Sequence, residues 1–139
     1  IRMGDPECQV LMMKLKTDLL SIIEATINNN LSELKIEWDN KKCITIVLCA
    51  KGYPGEYVKD KEIKNLSKIH LDKNNQIFHA GTYEFDGKVF SKGGRVLNVT
   101  SSSKDLDEAR NSSLSNLKKI NWDSGFFRKD IGWRDIKKK

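Results

Sequence analysis

One stretch constrains the fold more than any other: "CITIVLCA", Cys43 to Ala50, eight residues apolar but for Thr45, rich in β-branched side chains and closed at both ends by lysine. It is too short to cross a bilayer, which takes about 18 residues. A run of this length and composition reads as a largely buried strand. Such a strand needs partners on both sides, so the segments that could pair with it or cover it set the fold.

Downstream segments supply those partners. Ile77 to Phe85 reads as one strand and Lys88 to Phe90 as the next. Asp86-Gly87 between them is a strong short hairpin signal. "KGG" (Lys92 to Gly94) breaks the chain, and "RVLNVTS" (Arg95 to Ser101) is a further β-branched strand. In "KGYPGEY" (Lys51 to Tyr57), Pro54 and Gly55 have the chemistry of a type II turn, with Pro presetting φ and Gly accepting a positive one. Phe126 to Asp135 mixes aromatics with charge and reads as a short strand or turn that closes the fold.

Two helices frame this β region. Residues Asp5 to about Asn28 read as one helix: Leu11, Leu15, Leu19, Ile22, Ile23 and Ile27 keep helical spacing. Asp5 is placed to cap its free amides, Pro6 falls at the first helical position, and Glu7 adds favourable charge. The run Asn28 to Asn30 is its stop. The second helix covers about Asp105 to Ile120, with Ser102 and Asp105 as a capping box and Leu106, Ala109, Ser113, Leu117 and Ile120 on one face. The pattern is α+β: an N-terminal helix, then a small, mostly antiparallel β domain with one long helix. The first helix looks detached, with a boundary between about Asn30 and Lys42.

With 139 residues, 38% hydrophobic and 32% charged, the chain suits one globular unit with a core of its own. No apolar run reaches membrane length and no secretory leader is visible. The cysteines, Cys8, Cys43 and Cys49, are odd in number and form no C-x-x-C pair, which argues against a disulfide framework or a zinc site. Cys43 and Cys49 share one strand face and read as buried thiols. A reducing compartment, the cytoplasm, fits them, and the sequons at Asn98 and Asn111 then carry no meaning.

The net charge of +6 suits an anionic partner, and half of it sits in Lys137 to Lys139. Glycines cluster beside cations: Gly52 and Gly55 near Lys51, Gly93 and Gly94 between Lys92 and Arg95, Gly132 near Arg128. Backbone amides freed by glycine can meet an anion that a cation then neutralises. The same glycines also serve as turn punctuation. His70 and His79 form no catalytic arrangement, and His79 reads as a hydrogen-bonded structural residue. For "IRMGDPECQ" (Ile1 to Gln9), a plain helix start and an anion site beside Arg2 are both open.

Six blocks in order carry more than any one of them: "RMGDPECQ" (Arg2 to Gln9), "GYPG" (Gly52 to Gly55), "FHAGT" (Phe78 to Thr82), "GGRVLNVT" (Gly93 to Thr100), "EAR" (Glu108 to Arg110) and "FFRKDIG" (Phe126 to Gly132). Together they resemble the C-terminal part of the glycinamide ribonucleotide synthetases (phosphoribosylamine–glycine ligases) of the ATP-grasp superfamily. The resemblance runs from Arg2 to about Arg134. The chain departs from it at Met3, where the family has Phe. It also departs at Ser113 and Leu114, where the family tends to have Ala-Tyr, and near Asp60, where a Gly is usual. These positions concern packing and a turn.

The resemblance implies residues 1–35 as the end of an ATP-grasp domain and 36–139 as the family's C-terminal domain. It implies ligation of glycine to 5-phosphoribosylamine with ATP, through glycyl phosphate, giving glycinamide ribonucleotide, ADP and phosphate in purine synthesis. ATP and Mg2+ (or Mn2+) belong to the full-length enzyme. The metal ligands are expected just upstream of Ile1, so this chain alone is expected to bind no cofactor and to be inactive. Arg2 and Asp5 are its catalytic candidates: Arg2 for a carboxylate or acyl phosphate, Asp5 for capping, for the glycine ammonium, or for both. Glu7 remains a capping charge. Gly52, Tyr53 and Pro54 with Gly93, Gly94 and Arg95 are candidates to line the nucleotide-sugar side, the last three for a phosphate. Upstream domains of the same chain are the expected partners, with no membrane and no nucleic acid. Two other readings are a basic nucleic-acid-binding module, permitted by the charge and by Trp38, Trp122 and Trp133, and a standalone interaction domain.

Overall fold

The computed structural model describes residues 3–69 and 71–136. Arg2, His70 and the terminal lysines lie outside the described residues, so the expectations for Arg2 and His70 are not addressed by it.

Strand β1 (Lys42–Ala50) is the spine. Alternate residues Ile44, Ile46, Leu48 and Ala50 are buried, as expected where one strand face meets the core. β6 (Arg95–Ser103) runs antiparallel beside it, Ile46 opposite Val99 and Leu48 opposite Leu97. β3 (Asn75–His79) pairs with the far side of β6, and β7 (Gly125–Phe126) with the end of β1, giving the order β3-β6-β1-β7. A second sheet, β2-β5-β4, holds β2 (Glu62–Ile63), β5 (Lys88–Ser91) and β4 (Thr82–Phe85).

Helix α3 (Leu106–Lys119) packs on the face of the main sheet that carries Ile46, Leu48, Leu97 and Val99, with Ala109, Ser113 and Leu117 buried. On its buried side the Ser113 hydroxyl donates to Ser101 Oγ at 2.8 Å. Helix α1 (Glu7–Lys14) lies along the opposite face near Cys43 and Thr45. Helix α2 (Leu19–Ile27) follows it, and α4 (Trp133–Ile136) ends the described chain.

The α+β architecture and the long second helix stand as expected. Several local expectations do not. The first helix is two helices, because residues 35–39 take hydrogen bonds from the segment between them. Lys16 N and Thr17 N both donate to the Glu37 carbonyl, at 2.9 and 3.4 Å, and Leu15 bridges to Trp38. Asp18 then caps α2 by accepting from Ser21 N at 2.9 Å. The expected asparagine stop holds, with Asn29 at φ 57°.

At the start of α1 the cap position is Pro6, not Asp5, and no side chain caps the helix. Asp5 is drawn away by an ion pair described below. For α3 the cap is Asp105, accepting from Asp107 N at 2.8 Å, so Ser102 forms no capping box with it. Ser102 is instead still part of β6.

Ile77 to Phe85 is not one strand. It breaks at Ala80-Gly81 and its halves join different sheets. Gly81 N donates to the Arg95 carbonyl at 2.9 Å and its Cα lies against Gly93, an approach that leaves no room for a side chain. The Asp86-Gly87 hairpin forms as read, with φ 50° and 67°. The 51–57 turn is not type II: the positive φ, 96°, belongs to Gly52 and not to Gly55.

Candidate functional site

The residues singled out in the sequence come from four separate segments, and the fold brings most of them to one end of β1. Strand β1 delivers Cys49, which sits opposite Arg95 of β6 where the register shifts after Leu48. Ala50 N donates to the Gly94 carbonyl at 2.8 Å, and Tyr53 N donates back to the Ala50 carbonyl at 3.1 Å. These bonds fold the loop after β1 over the start of β6. The Tyr53 ring lies against Gly94, where a β-carbon would collide with it. Tyr57 meets Tyr53 edge-on, with ring centroids 6.1 Å apart.

The N-terminal segment reaches the same place. Asp5 Oδ2 stands 3.1 Å from an Arg95 guanidinium nitrogen. Its other oxygen accepts from Gln9 Nε2 at 3.3 Å. Both partners are about 40% exposed at their side chains (42% and 40%), so the pair faces solvent while still ordered. Glu7 opens α1, and its carboxylate folds back over Gly4.

Beside this pair lies a cavity of about 440 Å³. Pro6 forms one wall. The outward residues of β1, Thr45, Val47 and Cys49, form its floor, and Tyr53 and Pro54 close one side. Phe126, Phe127 and Arg128 with Ile131 close the other. The Arg128 guanidinium grips Asp130 with two bonds, at 3.0 and 2.7 Å. That bond holds the Asp130 carboxyl below its ordinary range. Arg110 donates to the Lys129 carbonyl, which ties the same loop to α3.

The thiols behave as half-buried groups, not as the fully buried ones expected, because α1 covers only part of their face. Burial pushes the Cys43 thiol up, with Lys14 opposing. Burial also pushes Cys49 up, with the Arg95 charge opposing.

Of the sequence candidates, then, Asp5, Tyr53, Pro54, Gly94 and Arg95 lie together, Gly93 adjoins Gly94, and Gly52 sits at the base of the loop. His79 is exposed at the end of β3, with Nδ1 2.9 Å from Thr82 Oγ1, and is no part of the cavity lining. Cys49, Phe126 and Phe127 line the cavity but were not among the site candidates read from the sequence. The β1–β6 register that puts Cys49 opposite Arg95 is a tertiary fact, though "FFRKDIG" marked the other two. Trp122, one of the three tryptophans that allowed a nucleic-acid surface, is 7% exposed and belongs to the core.

Comparison with known proteins agrees with this architecture. Residues 43–134 match the family model of the phosphoribosylglycinamide synthetase C domain. The chloroplastic phosphoribosylamine–glycine ligase of Arabidopsis thaliana is 45% identical over 141 residues, covering 100% of this chain and 26% of that protein. The Brucella melitensis phosphoribosylamine–glycine ligase is 42% identical, covering 99% of this chain and 32% of its own length. The trifunctional purine biosynthetic protein adenosine-3 of Gallus gallus is 43% identical over 97% of this chain and 14% of its own. A crystal structure of the Thermotoga maritima phosphoribosylamine–glycine ligase superposes with a TM-score of 0.69 at 29% identity, covering 94% of this chain and 31% of that one. The chain thus spans about a third or less of the relatives it matches. A family model over most of the chain, joined to ligases that match it almost end to end, makes this chain a member of the phosphoribosylglycinamide synthetase C-domain family.

Proposed function

We propose that this chain serves as the C-terminal part of an ATP-dependent carbon–nitrogen ligase. The ligase joins glycine to 5-phosphoribosylamine and releases glycinamide ribonucleotide, ADP and phosphate. The observation that carries the reading is the match to phosphoribosylamine–glycine ligases over almost the whole chain. It is supported by the convergence of Asp5, Tyr53, Gly94 and Arg95 at one end of β1. Residues 1–35 are assigned to the end of the ATP-grasp domain, and 36–139 to the C-terminal domain.

The chemistry asks for two kinds of contact that these residues can make. A carboxylate on the Gly4–Pro6 loop suits the glycine ammonium, and Asp5 has acceptor sites beyond those given to Arg95 and Gln9. The Gly93–Gly94 turn, where Gly93 N is given to the Gly81 carbonyl at 3.1 Å and the Gly94 amide follows it, suits a ribose phosphate together with the Arg95 guanidinium. Gly52, Tyr53 and Pro54 flank that contact, with the Tyr53 ring against Gly94. Arg2 is assigned to the acyl phosphate side. An acyl phosphate hydrolyses if wet, so the full protein must close over the reacting groups.

Among the described residues no group of three or more His, Cys, Asp or Glu converges, and the Mg2+ and ATP proposed for the full-length enzyme are assigned no ligand among them. Among the described residues no helix is long and apolar enough to cross a membrane. The cytoplasm is the proposed location, and the upstream domains of the full protein are the proposed partners.

The test uses the full-length protein that carries this chain. ADP release should require glycine and phosphoribosylamine together, and mass spectrometry should find glycinamide ribonucleotide. ADP release with neither substrate, or a different condensed product, would overturn the reading.

A further inference from the structure

We infer that Arg95 is a positioning residue: its ion pair with Asp5 latches the Gly4–Pro6 loop to the central sheet, and Asp5 acts only from the place this latch sets. The inference deepens the ligase reading and rests on it for the role of Asp5.

The argument starts from what holds each partner. Arg95 is fixed: it sits opposite Cys49 in the β1–β6 ladder, and its carbonyl accepts from Gly81 N at 2.9 Å. Asp5 is not fixed in that way. It precedes α1, a helix with no buried residue and no side-chain cap. The ties of its neighbourhood are largely local, as with Cys8 N donating to the Gly4 carbonyl at 2.9 Å. Pro6 rests on the cavity wall, an apolar contact that sets no direction for the carboxylate. Direction comes from the two polar bonds of Asp5, to Gln9 on its own helix and to Arg95 across the fold.

Three further ion pairs among the described residues make the contrast. Lys35–Glu37, Lys64–Glu62 and Arg128–Asp130 each join residues two apart and fix only local geometry. Asp5–Arg95 joins the N-terminal loop to the sheet. A half-exposed pair adds little to global stability, so its loss frees the loop without unfolding the domain. Arg95 also has capacity to spare. A guanidinium carries five N–H donors in a rigid fork and stays charged. It can hold Asp5 with one edge while another meets an anion at Gly93 and Gly94. Arg95 then touches both proposed subsites, and displacement at one is felt at the other.

The experiment compares Arg95→Met, Arg95→Lys, Asp5→Asn and the double variant Asp5→Asn/Arg95→Met in the full-length protein. Arg95→Met should raise the KM for glycine about tenfold, and the glycine KM of the double variant should be no higher than that of Asp5→Asn alone, as for two residues acting as one unit on that substrate. Arg95→Lys should recover much of the loss. Hydrogen–deuterium exchange of residues 4–9 should rise in Arg95→Met. Multiplying increases in the glycine KM for Asp5→Asn and Arg95→Met would overturn the positioning role, and so would unchanged exchange at residues 4–9. Faster exchange with an unaltered glycine KM would keep the latch and overturn the placing of Asp5 in the reaction. Failure of the ligase reading itself is seen separately, as absent product in the unsubstituted protein.

Discussion

The Tyr53 ring occupies the space that a side chain on residue 94 would need: a β-carbon there lies 2.6 Å from Cε2 and 3.0 Å from Cγ. Gly94→Ala must therefore push the ring aside. Overpacking of this kind costs about 1–3 kcal/mol. Tyr53→Ala in the same chain should recover part of it, so the two changes are expected to be less than additive in urea unfolding. If the loop serves the phosphorylated amine, Gly94→Ala should also raise that substrate's KM more than glycine's. Equal effects on both would argue against the loop's assigned side.

The half-buried thiols should alkylate slowly. Burial disfavours the thiolate, and it raises both Cys43 and Cys49 above their ordinary value. Iodoacetamide labelling followed by peptide mass spectrometry should show both lagging behind a model thiol at neutral pH and catching up as pH rises. The Arg95 charge opposes this at Cys49, as Lys14 does at Cys43. The sign for stability follows. A folded pKa above the unfolded one gives stability that is complete below the unfolded pKa and is lost as pH climbs through the folded value.

Asp130 gives the opposite sign. Hydrogen bonding from Arg128 lowers its carboxyl from 3.8. The contribution is present above the unfolded pKa and is lost as pH falls through the depressed folded value. NMR titration should place the Asp130 midpoint below 3.8, and Arg128→Met should move it upward. A midpoint that does not respond to Arg128→Met would mean that the two-bond grip is absent in solution.

Between sheet and helix, Ser113 and Ser101 are both fully buried and bond to each other. Ser113→Ala strands the Ser101 hydroxyl and should cost about 1–3 kcal/mol. The double variant Ser101→Ala/Ser113→Ala should cost less than the two single losses added together. Trp122 fluorescence during denaturant unfolding is a suitable readout, since that ring packs in the same core.

The sequence revealed what depends on near neighbours. The apolar run of Cys43 to Ala50, the Asp86-Gly87 turn and the apolar face of α3 are local patterns, and each formed its element as read. Failures came where a distant segment competed. Leu15 and Leu19 keep helical spacing across a break imposed by residues 35–39. Ile77 to Phe85 alternates well enough for one strand, yet Gly81 must pass against Gly93 and turns the chain into a second sheet. Asp5 has the chemistry of a cap and is taken by Arg95 instead. The site followed the same division. The blocks were visible because their residue types are unusual for plain packing. That Asp5 faces Arg95, or that Cys49 lies beneath it, requires the strand register.

The β4–β5 hairpin has a practical consequence. Its tip turns on Asp86 and Gly87, and a β-carbon added at Gly87 would meet no atom within 4 Å among the described residues. The tip belongs to the smaller sheet, so an insertion there leaves the β1–β6 ladder and the Asp5–Arg95 corner intact. Exposed hairpin tips tolerate added chain well. A short epitope or a fluorophore-bearing loop between Asp86 and Gly87 gives this domain a handle, through which its approach to the other parts of the full-length protein can be followed by distance measurement.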